Sequence, residues 1–282
     1  MNAEEVQRSL IGLPLGQLRY FDQIDSTNVE AANWADAGAP NLSLVVANEQ
    51  LSGRGRAGRK WFTPAEAALA FSLVIRNQPP TCFPTTYPID QLVYRLTALG
   101  AIAVSQALLL DYGLTAEIKW PNDVLLGRRK VAGVLTEAHW MAGSLTAVIL
   151  GIGVNITPAA VPREGEFLFP ATCIETNLGR AVQRYDVLRS ILSQILSWFA
   201  RLDAPEFMEC WNSQLAFKGE WVYLVTETVD SEQQWRPGLV LGLDDSGCLR
   251  VEDQSGVILA LRSGEVRLRP FPSEKKGSNQ DQ

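Results

Sequence analysis

The chain has 282 residues, 46% of them hydrophobic and 20% charged, enough to bury a sizeable core and to divide into one large and one small domain. Its 25 Lys+Arg against 31 Asp+Glu give a net charge of -6, so it lacks the broad basic footprint of a general DNA or RNA binder. Four scattered cysteines without CxxC spacing and a single histidine, His139, argue against a disulfide framework or a zinc site, and the first residues carry neither a basic nor an apolar leader, which predicts a soluble cytoplasmic protein with no membrane partner.

In chain order, Asp25-Ser26-Thr27-Asn28 precedes a helical run from Val29 to Ala37 that Gly38 and Pro40 stop. The hydroxyls there can cap the helix, or the helix start can face a polar ligand. Leu42 to Ala47 reads as a short strand leading through Glu49 and Gln50 into Gly53-Arg54-Gly55-Arg56-Ala57-Gly58-Arg59-Lys60-Trp61. This loop packs four cations and three glycines into nine residues of an acidic chain. Glycines admit close backbone approach and arginines bind carboxylate or phosphate in paired hydrogen bonds, while Trp61 offers a flat face for a base or fused ring. A solvated loop has the same composition. Leu69 to Ile75 is the returning strand.

Beyond a proline-rich connection, Asp90 is expected to cap a helix from Gln91 to Tyr112, whose leucine stripe faces the core and which Gly113 ends. The apolar stretch is interrupted by Ser105 and Gln106. Thr115 to Trp120 is a strand stopped by Pro121, and Val124 to Leu126 and Val131 to Thr136 form a hairpin around Gly127-Arg128-Arg129-Lys130. Lys119, Asn122 and Asp123 at that strand end fit an ordinary turn or a nucleotide-and-metal site, and Lys130 is either solvated or aimed inward. Ser144 to Ile152 is a further strand. Gly151-Ile152-Gly153-Val154-Asn155 resembles half a dinucleotide fingerprint, but Thr157-Pro158 stands where a helix should start, which excludes a Rossmann reading. A second amphipathic helix spans Asp186 to Leu202. From Lys218 short β-rich runs and Asp-Ser-Gly and Gln-Ser-Gly turns predict a small barrel, with Trp221 to Thr226, Gly238 to Leu243, Cys248 to Glu252, Val257 to Leu261 and Glu265 to Leu268 as its strands.

Taken together and in this order, Ser26-Thr27-Asn28, Glu49-Gln50 with the Gly53 to Trp61 loop, Lys119-Trp120-Pro121-Asn122-Asp123, Lys130-Val131-Ala132-Gly133-Val134-Leu135 with Glu137, and Gly151 to Asn155 resemble the biotin protein ligase family. The resemblance covers about residues 20 to 157 and extends to the β-rich end. It implies an α+β, class II synthetase-like catalytic domain with a mixed sheet flanked by helices over 1–217, an SH3-like barrel over 218–270 and a disordered tail over 271–282. The implied activity is ATP-dependent formation of biotinyl-5′-AMP, with Mg²⁺ carried by ATP, and transfer to a lysine of the biotin carboxyl carrier protein of acetyl-CoA carboxylase.

The resemblance also implies the site. Ser26, Thr27, Asn28 and Gln50 would contact the biotin ring, and Gly53, Arg54, Gly55 and Arg56 would hold the biotin carboxylate and the adenylate phosphate. Trp61, Asn122 and Asn155 would line the nucleotide, with Arg54 and Arg56 on its phosphate. Lys119 and Lys130 would act on the reacting oxygens, Asp123 would be the base for the acceptor lysine, and Arg56, Lys119, Asp123 and Lys130 form the catalytic set. Thr63-Pro64-Ala65-Glu66 departs from the glycine pattern usual after the tryptophan, implying a stiffer loop exit. Too few residues precede Tyr20 for a winged DNA-binding domain, which implies no DNA partner; a homodimer through sheet edges is left open. The alternatives are a lipoate or octanoate ligase-like transferase and a noncatalytic binding module.

Overall fold

A computed structural model describes residues 1–77, 87–162, 170–227, 233–262 and 267–270. The chain forms two compact units, Met1–Ala216 and Phe217–Gln282. In the first, chain order runs α1 (Ala3–Ser9), β1 (Leu18–Ile24), α2 (Thr27–Asp36), β2 (Ser43–Gln50), β3 (Ala68–Arg76), α3 (Ile89–Tyr112), β4 (Glu117–Lys119), β5 (Asp123–Leu126), β6 (Arg129–Met141), β7 (Ser144–Asn155), α4 (Ile174–Leu178), α5 (Arg184–Phe199) and α6 (Pro205–Ser213). The strands make one seven-stranded sheet in the order β1-β2-β3-β7-β6-β5-β4. Only β1 and β2 run parallel, so the sheet is mixed as expected.

Burial on both faces explains why β3 and β7 read as apolar runs rather than alternating ones. On one face α3 packs so closely that a Cβ at Gly100 would lie 2.9 Å from Val134 and 3.2 Å from Leu150. Long and apolar enough by composition to cross a membrane, α3 is instead mostly buried in this core and against α5. On the other face α2 sets Ala31, Trp34 and Ala35 on Val45, Val74, Ala147 and Ile149. This shorter helix covers only one end of its face, and the cleft lies on the remainder.

Some boundaries depart from the sequence expectations. Asp90 falls in the first turn of α3, where Pro88 takes the cap position, because the fixed φ of proline suits the turn that enters a helix. The helix read to Leu202 ends at Phe199, although Leu202 stays buried in the turn that follows. The β5–β6 hairpin turns through Gly127 and Arg128, both with positive φ, as a two-residue type I′ connection requires. In β7 the Gly151 to Asn155 stretch is strand interior, so no Rossmann helix start exists there.

The second unit contains β8 (Trp221–Glu227), β9 (Gln233–Leu243), β10 (Leu249–Asp253), β11 (Ile258–Leu261) and β12 (Arg267–Pro270), an antiparallel sheet in the order β11-β10-β9-β8-β12, consistent with the SH3-like expectation. Asp244 and Asp253 each accept from the backbone two and four residues on, which builds the two turns read from sequence. The tail expected over 271–282 and the strand start at Glu265 lie outside the described residues.

Candidate active site

Directly opposed residues on antiparallel strands share a face, so register alone assembles the cleft. Lys119 opposes Asp123, Asp123 opposes Gly133, Gly133 opposes Gly153, Gly153 opposes Ala70 and Ala70 opposes Ala47. A charged pair thus begins a row whose next four members are glycine or alanine. The neighbouring row is Leu135, Gly151, Ser72 and Val45. The result is a flat floor of small residues with ionic groups at one end and the start of α2 at the other.

At the α2 end, Ser26, Thr27 and Asn28 are buried. Of the two readings of these hydroxyls, the cap is not made: Ser26 occupies the N-cap without a side-chain cap bond. Gln50 of β2 caps instead, its Oε1 accepting from the Thr27 backbone N–H at 2.8 Å and from the Thr27 hydroxyl at 3.1 Å, while its Nε2 donates to Thr63 Oγ1 at 2.9 Å. The Ser72 hydroxyl lies 2.8 Å from Thr27 Oγ1 and 2.6 Å from Asn28 Oδ1. Asn28 Nδ2 donates to Glu137 Oε2 at 2.8 Å. Ser72 and Thr63 were not anticipated from sequence; a lone hydroxyl inside the apolar strand Ala68–Arg76 was the available signal.

Glycine is required at position 151, since a Cβ there would lie 1.9 Å from Asn28 Oδ1. Gly151→Ala is therefore expected to displace Asn28 and to cost about 1–3 kcal/mol of stability. Denaturant unfolding checks the cost, and a midpoint equal to wild type would show that the amide moves freely.

The glycine-arginine loop is ordered as a tight excursion. Gly53 O accepts from Trp61 N at 2.8 Å and Gly55 N donates to Arg59 O at 2.7 Å, around a 3₁₀ turn at Arg56–Gly58 in which Ala57 has φ 53°. Gly53 permits this crossing, because a Cβ would stand 2.3 Å from Trp61 O. The Trp61 ring lies on the floor: a Cβ at Gly153 would be 2.2 Å from its Nε1 and one at Gly133 would be 3.2 Å from the ring. Lys130 Nζ sits 5.2 Å from the ring centroid, in cation–π range.

Lys130 Nζ is 2.6 Å from Asp123 Oδ1, and Lys119 Nζ is 3.5 Å from Asp123 Oδ2. The Lys130 main chain is clamped, its N–H donating to Pro170 O at 2.8 Å and its carbonyl accepting from Thr172 N at 2.9 Å. Arg56 Nη1 reaches Asn122 Oδ1 at 3.3 Å, and Asn122 Nδ2 is held by Val134 O at 2.8 Å. Burial lowers the proton affinity of Arg56, and the Asp123 charge opposes that. Asn155 donates to Thr172 O at 3.0 Å at the end of β7. Arg54 is the member set apart, its ion-pair partner being Glu137 at 2.9 Å.

Two lysines hold the Asp123 carboxylate in its ionised form. Burial pushes its pKa up, but Lys130 and then Lys119 pull it down, from 3.8 to about 2. A carboxylate held there is a poor acceptor for a proton from an amine of reference pKa ~10.4. Its geometry suits orienting two lysines. Because the folded pKa is depressed, its contribution to stability is complete above its ordinary 3.8 and is lost as pH falls toward about 2. Acid unfolding followed by circular dichroism should show that component in wild type and not in Asp123→Asn.

A small-residue floor thus joins a hydrogen-bonding end to a cationic end under an arginine loop, and the family match places this cleft in the biotin and lipoate protein ligase class. Residues 20–155 match the Biotin/lipoate A/B protein ligase family. The chain is 35% identical over 240 residues to a biotin--[acetyl-CoA-carboxylase] ligase of Paracoccus denitrificans, covering 82% of this chain and 92% of that one. It is 30% identical to the bifunctional ligase/repressor BirA of Bacillus subtilis, across 91% of this chain and 76% of that one. The biotin protein ligase of Aquifex aeolicus, solved in complex with biotin and ATP, superposes with a TM-score of 0.73 at 28% identity, covering 90% of this chain and 99% of the other. The chain belongs to the biotin protein ligase family.

Proposed function

We propose that this protein activates biotin with ATP and transfers it to a lysine of a biotin carboxyl carrier protein of acetyl-CoA carboxylase. The small-residue floor joining a polar end to a cationic end is the observation that carries the reading. Biotin has that polarity, with a ureido ring at one end, an apolar chain between and a carboxylate at the other. Thr27, Asn28 and Gln50 would meet the ring, with Ser26 and Gly53 framing its wall and Gly55 on the carboxylate side. Gly133, Gly153 and Ala70 would lie under the chain, so the Trp61 ring must shift toward the nucleotide as the chain takes the floor.

In the first step a biotin carboxylate oxygen attacks the α-phosphorus of ATP and pyrophosphate leaves. Two anions must meet, and Lys130, Lys119 and Arg56 neutralise the charge as it moves onto the phosphoryl oxygens. Asn122 sets Arg56, Asn155 lines the nucleotide, and Asp123 aims both lysines. In the second step the carrier lysine, as its free amine, attacks the acyl carbon, the C–O bond breaks with AMP leaving, and the proton released from the nitrogen passes to water. Mg²⁺ would enter with ATP. Among the described residues no three His, Cys, Asp or Glu side chains converge, and Asp123 is already engaged by two lysines, so these residues do not form a Mg²⁺ cage of their own.

The catalytic work is assigned to 1–217 and the SH3-like fold to 218–270. With a net charge of -6, the reading needs no nucleic-acid partner. Mass spectrometry of a purified carrier domain incubated with this protein, biotin and Mg-ATP tests it. A single biotin mass gain that needs ATP is expected. A gain from lipoate alone, or none with a carrier that another ligase modifies, would overturn the reading.

A further inference from the structure

The motifs that carry the family resemblance include Glu137 without giving it a role. In the structure its carboxylate is divided between two parts of the cleft. Oε2 accepts from Asn28 Nδ2 at 2.8 Å, and Oε1 lies 2.9 Å from Arg54 Nη2. Asn28 belongs to the rigid wall: Ser72 approaches its Oδ1 at 2.6 Å, and the amide fills the space that the missing Cβ of Gly151 leaves. Arg54 belongs to the loop. On β6 Glu137 opposes Ile149 and is anchored by the longest strand pairing of the sheet, so it is a fixed post rather than a mobile one.

We propose that Glu137 is a positioning residue that latches the glycine-arginine loop over the cleft by holding Arg54 to the wall through Asn28. The loop is short and internally bonded from Gly53 to Trp61, so fixing Arg54 also fixes Arg56 two residues on. Arg56 in turn meets Asn122, and would meet the adenylate phosphate once the intermediate has formed, which pins the loop a second time toward the cationic end. A loop held at two points shields a mixed anhydride better than one held at either alone. The Arg54 and Glu137 side chains are 50% and 31% exposed, so the latch is solvent-screened and must weaken with salt.

This inference rests on reading the cleft as the biotinyl-adenylate site, and its test separates the two. The full-length protein is loaded with biotin and Mg-ATP, and release of the preformed intermediate is followed by chase with excess unlabelled biotin. Glu137→Gln keeps an acceptor for Asn28 and removes the charge that holds Arg54. It is expected to speed release about three- to fivefold, the range of a partly exposed ion pair. In an Arg54→Gln background the same change should add nothing, because the latch is already open. Wild-type release should also rise with ionic strength more steeply than release from Glu137→Gln, and the wild-type salt response remains readable if the variants fold poorly. Additive effects of the two substitutions, or wild-type release indifferent to salt, would sink the latch and leave the ligase assignment standing. Absence of any adenylate in wild type would sink both.

Discussion

Replacing Lys130 with alanine is expected to slow biotin adenylation by about 10²–10³-fold, the loss seen when one preorganised donor to a transition-state oxygen is removed. Three features make this the largest single effect in the cleft. The ammonium lies 2.6 Å from Asp123 and at the end of the small-residue floor, where the carboxylate of a ligand on that floor would arrive. Its main chain is fixed on both sides by residues 170 and 172, so the charge is preorganised before substrate binds. Its removal also leaves Asp123 with Lys119, at 3.5 Å, as its nearest cation, adding less compensated negative charge where two anions must meet. Lys130→Arg should rescue only in part, because a planar fork replaces the compact ammonium that sits 2.6 Å from Asp123. Single-turnover pyrophosphate release measures the step directly. A rate within threefold of wild type would remove Lys130 from the chemistry. Native-like circular dichroism in the same sample separates lost chemistry from lost fold.

Much of this cleft is legible in sequence because its parts are local. The loop, the Lys119 to Asp123 turn and the Lys130 hairpin each declare themselves by composition within ten residues, and the α3 stripe and the β-rich end follow from periodicity. What sequence does not show is register. The floor exists because Gly133, Gly153 and Ala70 fall opposite one another on three strands, and no single strand carries that information. Partners distant in sequence are equally hidden: Asn28 meets Glu137 across 109 residues, and Gln50 caps a helix that seemed to carry its own hydroxyl caps. Asp123 looked like a base because a carboxylate beside a lysine in a turn is ambiguous. That Lys130, from another strand, lies on its second oxygen is not visible in the turn itself. The strand β1 escaped notice for a simpler reason, since its edge position leaves much of Leu18–Ile24 outside the core and blurs the alternation that would mark it.

Arg56→Ala is expected to act mainly on retention rather than on activation, raising the release rate of the bound adenylate about 10- to 100-fold, as for loss of a hydrogen bond to a charged group. Arg56 rises from the loop's 3₁₀ turn and reaches into the cleft above Asn122 at 3.3 Å, a long contact that a phosphate would readily outcompete. Before the reaction it adds one cation to a cleft that already contains Lys119 and Lys130, so its loss should lower the adenylation rate less than loss of Lys130. After pyrophosphate leaves, a single phosphate remains, and the fork of Arg56 ties that phosphate to a loop that must open before the intermediate can escape. Arg56→Lys keeps the charge without the fork and should fall between wild type and alanine. Chase of preformed biotinyl-adenylate, with pyrophosphate release measured on the same preparation, separates the two steps. If release is unchanged while adenylation collapses, Arg56 belongs with Lys130 in activation, and retention falls to Arg54 and its hold on Glu137.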